Sequence, residues 1–357
     1  MYKINNVDTN TQNSHLSLFE EKAQHLMIGF RDGTLELNGH IGTKQIVNVI
    51  YKVDPKSPTW AFLNKYSHSH ELKKLLCGSW NELLEIIDDV NSMFGETEWK
   101  NKLTKEKINK KQYQAIHILA NGSISVDSFN DILYHIFVDE LYEKLFDKYQ
   151  FVADMNLMVC PYCGRQRINV ASLPGKRPSK PPIDHFLPKR KYPFLAVSLY
   201  NLIPCCTTCN ELANKGEFDP LDGEPGIENP HDFDDNHVRF KGVFPDLDKE
   251  MAYSEYNVSM EFNPSSLSKG YRDTLKLEAF YQDEKQTMID MYSNVVHQSD
   301  ARKEFLKTLG VSDEYLNNFQ RSVLGFPLDG QTSVRLFYKF KKELFEQLLA
   351  KFHLLSK

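Results

Sequence analysis

"VCPYCGRQRINVASLPGKRPSKPPIDHFLPKRKYPFLAVSLYNLIPCCTTCNELANKG", residues 159–216, breaks with everything around it. Helical periodicity stops where it begins, and glycine, proline, cysteine and short polar turns take over. It holds Cys160, Cys163, Cys205, Cys206 and Cys209, while Cys77 stands alone outside it. Two Cys-x-x-Cys pairs are separated by 42 residues. Each pair offers two thiolates from one tight turn, and two such turns make the four-sulfur tetrahedron that Zn²⁺ prefers. Gly164 suits a knuckle of this kind because glycine accepts the backbone angles that a tight turn needs. Cys160, Cys163, Cys206 and Cys209 are therefore the expected ligands of a structural zinc ion. Cys205 leaves the register open, since it forms a looser pair with Cys209; the two-residue spacing is favoured because it reproduces the first knuckle. Four sulfurs leave no coordination position for a substrate, so the chemistry must lie elsewhere.

Working outward, 357 residues exceed what one hydrophobic core usually organises, and two or three domains are expected. The expected division is a mainly helical region over 1–158, the cysteine module over 159–222, and a linker, short strands and a helical region over 223–357. In "SWNELLEIIDDVNSMF" the residues Leu83, Leu84, Ile87, Val90 and Phe94 recur at helical spacing, and Ser79 with Glu82 forms a capping box. "SFNDILYHIFVDELYEKLFDKY" reads as a second helix, and "TKEKINKKQYQ" between the two as a solvated charged face. "HVRFKGVF" and "YNVSMEF" read as paired short strands. The closing "SVRLFYKFKKELFEQLLAKFHLL" keeps Phe337, Phe340, Leu344, Leu348 and Phe352 on one helical face. Six cysteines are too few for a disulfide scaffold, the first residues are polar, and no run of about 18 apolar residues occurs. A cytoplasmic protein is expected.

A zinc ion joining the knuckles folds the intervening loop back on itself. That loop carries Asp184, His185 and Asn201, with Asn210 just past the second knuckle. "KPPID" reads as an extended segment, and the residues after Cys206 as the start of a helix. Asp184 on the strand and Asn210 on the helix would then hold one hard cation, which stabilises charge developing on a phosphodiester. His185 would take the proton of the attacking water, and Asn201 would hold the loop and orient the ring. An isolated Asp-His dipeptide in a loop is ordinarily just a surface turn; its place between the knuckles is what lifts this one above that. His68 and His70, alternate histidines on a polar segment, read as surface. Tyr162 and Phe186 read as packing over the module in preference to stacking on bases. Nothing is assigned to His231 and His237.

The stretch "CPYCGRQ... IDHFLPKRKYP... LYNLIPCCTTCNELANKG" closely resembles the HNH endonuclease family of ββα-metal fold, over about sixty of the 357 residues. The resemblance implies an α+β protein with mainly helical flanking regions around a small zinc-stabilised ββα-metal HNH module. It implies His185 as general base, Asp184 as ligand of a catalytic Mg²⁺ or Mn²⁺, Asn201 as the central asparagine and Asn210 as the second metal ligand. Many relatives have Cys-Asn-x-x-Lys, whereas here Lys215 follows Asn210 by five residues. This spacing leaves the role of Lys215 open, with substrate binding as the expectation, and Asn214 becomes a further candidate ligand. The stretch is most similar to HNH nucleases of bacterial antiphage systems, the Septu and retron-associated kinds, which implies a defence role beside an ATPase partner. The chain has no Gly-x-x-x-x-Gly-Lys-Ser/Thr of its own.

Residues 160–192 carry a net +7 while the remainder carries −12. Arg165, Arg167, Lys176, Arg177, Lys180, Lys189, Arg190 and Lys191 supply that charge, and Lys189, Arg190 and Lys191 are the expected phosphate contacts. A solvated basic loop is the plain alternative. DNA is favoured over RNA as substrate. A ribonuclease of the same chemistry and a non-catalytic zinc-stabilised nucleic-acid-binding module are the competing readings. The flanking helices would serve a partner or a homodimer.

Overall fold

The protein, seen in a computed structural model, is described over residues 1–5, 7–41, 45–94, 117–118, 124–125, 129–168, 180–223, 226–246, 251–297, 308, 310, 324–325 and 335–351. These residues form a mixture of helices and small two-stranded antiparallel sheets. The charged stretch 104–114, Lys176, Arg177 and Phe352 lie outside them.

The N-terminal region is built on α1 (Thr9–Asp32). Asp8 caps its start by accepting the Thr11 N–H at 2.7 Å, and Gly33 ends it at a φ of 71°. Its buried face, His15, Phe19, Ala23, Leu26, Met27 and Phe30, repeats every three or four residues. Against it pack α2 (Pro58–Tyr66) and α3 (Ser69–Cys77), followed by α4 (Trp80–Phe94). The expected capping box of α4 is present: the Ser79 N–H donates to Glu82 Oε2 at 2.7 Å, and the Glu82 N–H to Ser79 Oγ at 3.4 Å.

The second expected helix forms in three pieces. α5 (Phe129–Leu133) runs into a π-helix, Tyr134–Leu145; Asp147 then caps α6 (Lys148–Met155) by accepting the Tyr149 and Gln150 N–H groups at 3.0 Å. Periodicity cannot separate these pieces, because an i→i+5 register still keeps Ile136, Phe137 and Leu141 buried.

The expected strand pair is β7 (Val238–Val243) with β8 (Asn257–Phe262), Phe240 standing opposite Met260; the earlier pairs are β1 (Glu36–Ile41) with β2 (Gln45–Ile50), β3 (His117–Ile118) with β4 (Ile124–Ser125), and β5 (Ile183–His185) with β6 (Leu202–Pro204). Between the last two pairs of strands lie the short α7 (Thr207–Asn210), and after β8 come α8 (Leu277–Gln282), α9 (Lys285–His297) and the closing α10 (Tyr338–Lys351). α10 buries Phe340, Leu344 and Leu348, as its pattern requires, while Phe337 precedes it at a φ of 58°. Side chains of α10 also satisfy the open edge of β7. Glu343 accepts the Phe240 N–H at 2.7 Å, and Gln347 both accepts the Gly242 N–H at 3.0 Å and donates to the Phe240 carbonyl at 2.7 Å. An edge covered in this way offers no free ladder to another strand. The buried side chains of all three segments form one continuous cluster. No helix among the described residues is long and apolar enough to cross a membrane.

Candidate metal centre and carboxylate site

Each knuckle is made by its own backbone. Cys160 N–H donates to the Gln166 carbonyl and Gly164 N–H to the Cys160 carbonyl, both at 2.8 Å, and Gly164 sits at a φ of 67°. The Arg165 N–H then points at Cys163 Sγ at 3.4 Å, and the Cys209 N–H at Cys206 Sγ at 3.4 Å. Such N–H···S bonds orient thiolates and spread their charge. The flanking regions brace the first knuckle: Tyr281 donates its hydroxyl to the Cys163 carbonyl at 2.6 Å, the Phe337 N–H donates to the Gly164 carbonyl at 2.7 Å, and the Tyr2 N–H donates to the Pro161 carbonyl at 3.2 Å.

The ligand atoms of Cys160, Cys163, Cys206 and Cys209 all lie within 4.8 Å of one another, and all four residues are buried. Sulfurs about 2.3 Å from a tetrahedral zinc stand about 3.8 Å apart; Cys163 Sγ and Cys206 Sγ are separated by 3.9 Å. Hydrogen bonds from the other three thiols hold Cys163 well below the ordinary thiol range, while burial pushes Cys160 up. A pocket that gathers four buried sulfurs and already favours one thiolate fits a structural Zn²⁺ ion. Cys206, and not Cys205, completes the set. Cys205 is buried beside the cluster, its N–H donating to the Pro182 carbonyl at 3.1 Å.

The loop between the knuckles returns as expected and pairs β5 with β6, setting Asp184 opposite Ile203 and His185 opposite Leu202. Cys205 N–H to the Pro182 carbonyl and Phe186 N–H to the Asn201 carbonyl, at 3.1 and 2.9 Å, extend the ladder at its two ends. Asn201 is wholly buried. Its Oδ1 accepts the Leu187 N–H at 2.8 Å, and its Nδ2 donates to the carbonyls of Leu187 and Leu195 at 3.2 and 2.9 Å. It holds the loop, as expected, but among the described residues no hydrogen bond joins its side chain to the histidine ring. The next carbonyl along, Ala196, does: His185 Nε2 lies 3.0 Å from it. A carbonyl only accepts, so Nε2 carries the proton and Nδ1 is left with the lone pair. Burial, then the charge of Lys189, pushes His185 well below the ordinary histidine range, which keeps the ring neutral. Tyr142 on the π-helix packs over it at 4.6 Å between ring centroids.

Asp184 is buried and points the other way. Its Oδ2 accepts the Tyr162 hydroxyl at 2.6 Å and stands 2.9 Å from Lys215 Nζ. Burial pushes this carboxyl up, against the pull of the Lys215 ammonium and the Tyr162 hydroxyl. Tyr162 and Phe186 are both buried, in keeping with the packing role expected of them.

The helix expected to start near the second knuckle is present and carries Asn210. It is α7 alone and stops at Asn210, because the carbonyls a longer helix would use are taken by the following turn: Thr208 by Asn214 Nδ2 at 2.6 Å and Cys209 by the Lys215 N–H at 3.2 Å. Asn210 is half-buried at its end, and among the described residues no hydrogen bond joins its side chain to Asp184. Lys215, expected on the substrate, is buried inside the module. The expected phosphate contacts are paired with acids from other segments: Lys189 with Glu143 at 3.1 Å, Arg190 with Glu217 at 2.8 Å, and Lys191 with Asp219 and Asp222 at 3.1 and 3.3 Å. A Mg²⁺ or Mn²⁺ ion on Asp184 and Asn210 does not fit this arrangement, since Lys215 already neutralises the carboxylate. Asn214, the further candidate, directs its amide to Thr208 and keeps a buried Oδ1 without a partner.

His68 and His70 are exposed, His70 lying 3.3 Å from Glu71, in accord with a surface role. A cleft of about 600 Å³ lined by Asn236, Arg239, Met260, Phe262 and Arg272 includes none of the site residues. Tyr142 and the Ala196 carbonyl had no signal in the sequence, since neither belongs to a motif. No family model, curated protein or solved structure matches the chain.

Proposed function

We propose that this chain is a phosphodiester hydrolase of the HNH kind acting on nucleic acid, DNA before RNA. The observation that carries the reading is the β5–β6 hairpin, which sets Asp184 and His185 on adjacent positions beside a four-cysteine cluster. In this reading His185 accepts a proton from the attacking water at Nδ1 while the Ala196 carbonyl holds Nε2–H. Asn201 keeps that carbonyl in place by tying down the 187–195 loop. Lys189, Arg190 and Lys191 meet phosphate by exchanging their carboxylate partners. The Mg²⁺ or Mn²⁺ that the resemblance implies does not fit Asp184 while Lys215 holds it, and the roles given to His185 and Asn201 do not depend on that ion. A role in bacterial antiphage defence, beside an ATPase, rests on the resemblance alone and belongs to the same reading.

Incubating the zinc-loaded protein with DNA and RNA, with Mg²⁺ or Mn²⁺ and with EDTA, tests this. Cleavage by the wild type that His185→Ala abolishes, with zinc content unchanged, is the expected result; equal cleavage by the variant refutes the assignment. The occupation of Asp184 by the Lys215 ammonium at 2.9 Å favours a second reading, a non-catalytic zinc-stabilised nucleic-acid-binding module, which predicts binding without hydrolysis under every metal.

A further inference from the structure

Lys215 sits where the site needs a cation. Its side chain is fully buried and that of Asp184 is 4% exposed. Nζ lies 2.9 Å from Asp184 Oδ2, donates to the His185 carbonyl at 3.1 Å and stands 5.7 Å from the centre of the Phe186 ring. Every one of these contacts belongs to the hairpin segment 184–186, which the HNH resemblance makes the reactive one.

The chain is built to bring the ammonium there. α7 stops at Asn210, the turn is closed by the Lys215 N–H on the Cys209 carbonyl, and Gly216 follows at a φ of 44°, a left-handed conformation that lets the backbone leave again. Two residues more than the Cys-Asn-x-x-Lys spacing separate Asn210 from Lys215, and they lie in this turn. Asp184 Oδ2 is thereby saturated by one ammonium and one hydroxyl. A second cation on either oxygen of this buried carboxylate would stand close to the Lys215 ammonium, and repulsion between two close positive charges opposes it.

We propose that Lys215 is the resident cation of the Asp184 site and sets its cation selectivity, so that a divalent ion binds Asp184 only by displacing the ammonium. The proposal rests on the nuclease reading for the choice of Asp184 as metal ligand, while the competition itself is a property of the ion pair. Lys215 acts through Asp184 and is a positioning residue.

Mn²⁺ binding to the zinc-loaded full chain, followed by the loss of the free-ion electron paramagnetic resonance signal, tests it in the wild type, Lys215→Met, Asp184→Asn and the double variant. Lys215→Met is expected to bind Mn²⁺ at least about tenfold more tightly than the wild type, since one fixed charge no longer opposes the ion, and the double variant is expected to lose that gain. Equal affinity in the wild type and Lys215→Met, or a gain that persists in the double variant, overturns the proposal. Should Lys215→Met fail to fold, the wild type and Asp184→Asn decide it: micromolar binding by the wild type that Asp184→Asn abolishes overturns the proposal, and wild-type binding no tighter than that of Asp184→Asn supports it. Absence of nucleic-acid cleavage with the competition intact removes the nuclease reading and leaves this one standing.

Discussion

Removing Cys206 and Cys205 in turn tests the register of the metal centre. Cys206 Sγ lies 3.9 Å from Cys163 Sγ and accepts the Cys209 N–H, and it belongs to the group of four sulfurs within 4.8 Å of one another. Cys205 is equally buried, but its thiol is pushed up by burial first and then by the charge of Asp184. A structural four-ligand zinc site is worth about 10–16 kcal/mol, so an even share for one thiolate is about 3 kcal/mol, or a zinc affinity lower by about 100-fold. Cys206→Ala should show that loss when zinc is competed away by a chromogenic chelator, with bound metal counted by elemental mass spectrometry. Cys205→Ala removes one buried sulfur and leaves a small cavity, which costs about 1–2 kcal/mol of stability, and it should hold zinc as the wild type does. Loss of zinc in Cys205→Ala together with retention in Cys206→Ala would refute the geometry of the second knuckle.

Two further predictions concern the body that supports the site. His15 is buried among Phe19, Phe146 and Phe151 with Nε2 2.7 Å from the Val197 carbonyl, and burial lowers it to about 4. Its folded value lies below the unfolded one, so the unfolded chain binds more protons between them and stability falls as pH drops from about 6.5 towards 4; the part due to His15 is about 2 kcal/mol between pH 7.5 and 5. Urea unfolding at both pH values should show a shallower pH dependence in His15→Asn, and identical slopes in the two proteins would count against a neutral buried ring. Asn201→Ala leaves the Leu187 N–H and the Leu187 and Leu195 carbonyls buried without their side-chain partner, a loss of about 3 kcal/mol. Urea titration of the zinc-loaded variant measures it, and a change below about 1 kcal/mol would mean that the loop holds itself.

Ser79 and Glu82 announce the start of α4 because a capping box is a matter of two side chains three residues apart. The β7–β8 pair follows from β-branched and aromatic content in the same way. The C-terminal pattern finds α10, whose Phe340 ring meets Phe240 at 5.2 Å, although it also includes Phe337, which lies before the helix. The segment 129–155 shows the limit, since helical spacing of Ile136 and Leu141 does not reveal a π-helix.

Metal-ligand spacing and turn chemistry are properties of a few successive residues, so the knuckles, their ligand types and the placing of Asp184, His185 and Asn201 on one returning loop are legible in the chain. What those residues touch follows only from the fold. The +7 segment looks like an exposed phosphate-binding run when its own residues are counted, yet Glu143, Glu217, Asp219 and Asp222 arrive from other segments to pair with it. The inward turn of Lys215 onto Asp184 depends on where α7 stops, and that is set by which groups take the carbonyls of Thr208 and Cys209. Electrostatic partners are chosen by proximity in space, and a linear pattern carries no record of which distant charges the fold will bring within 4 Å.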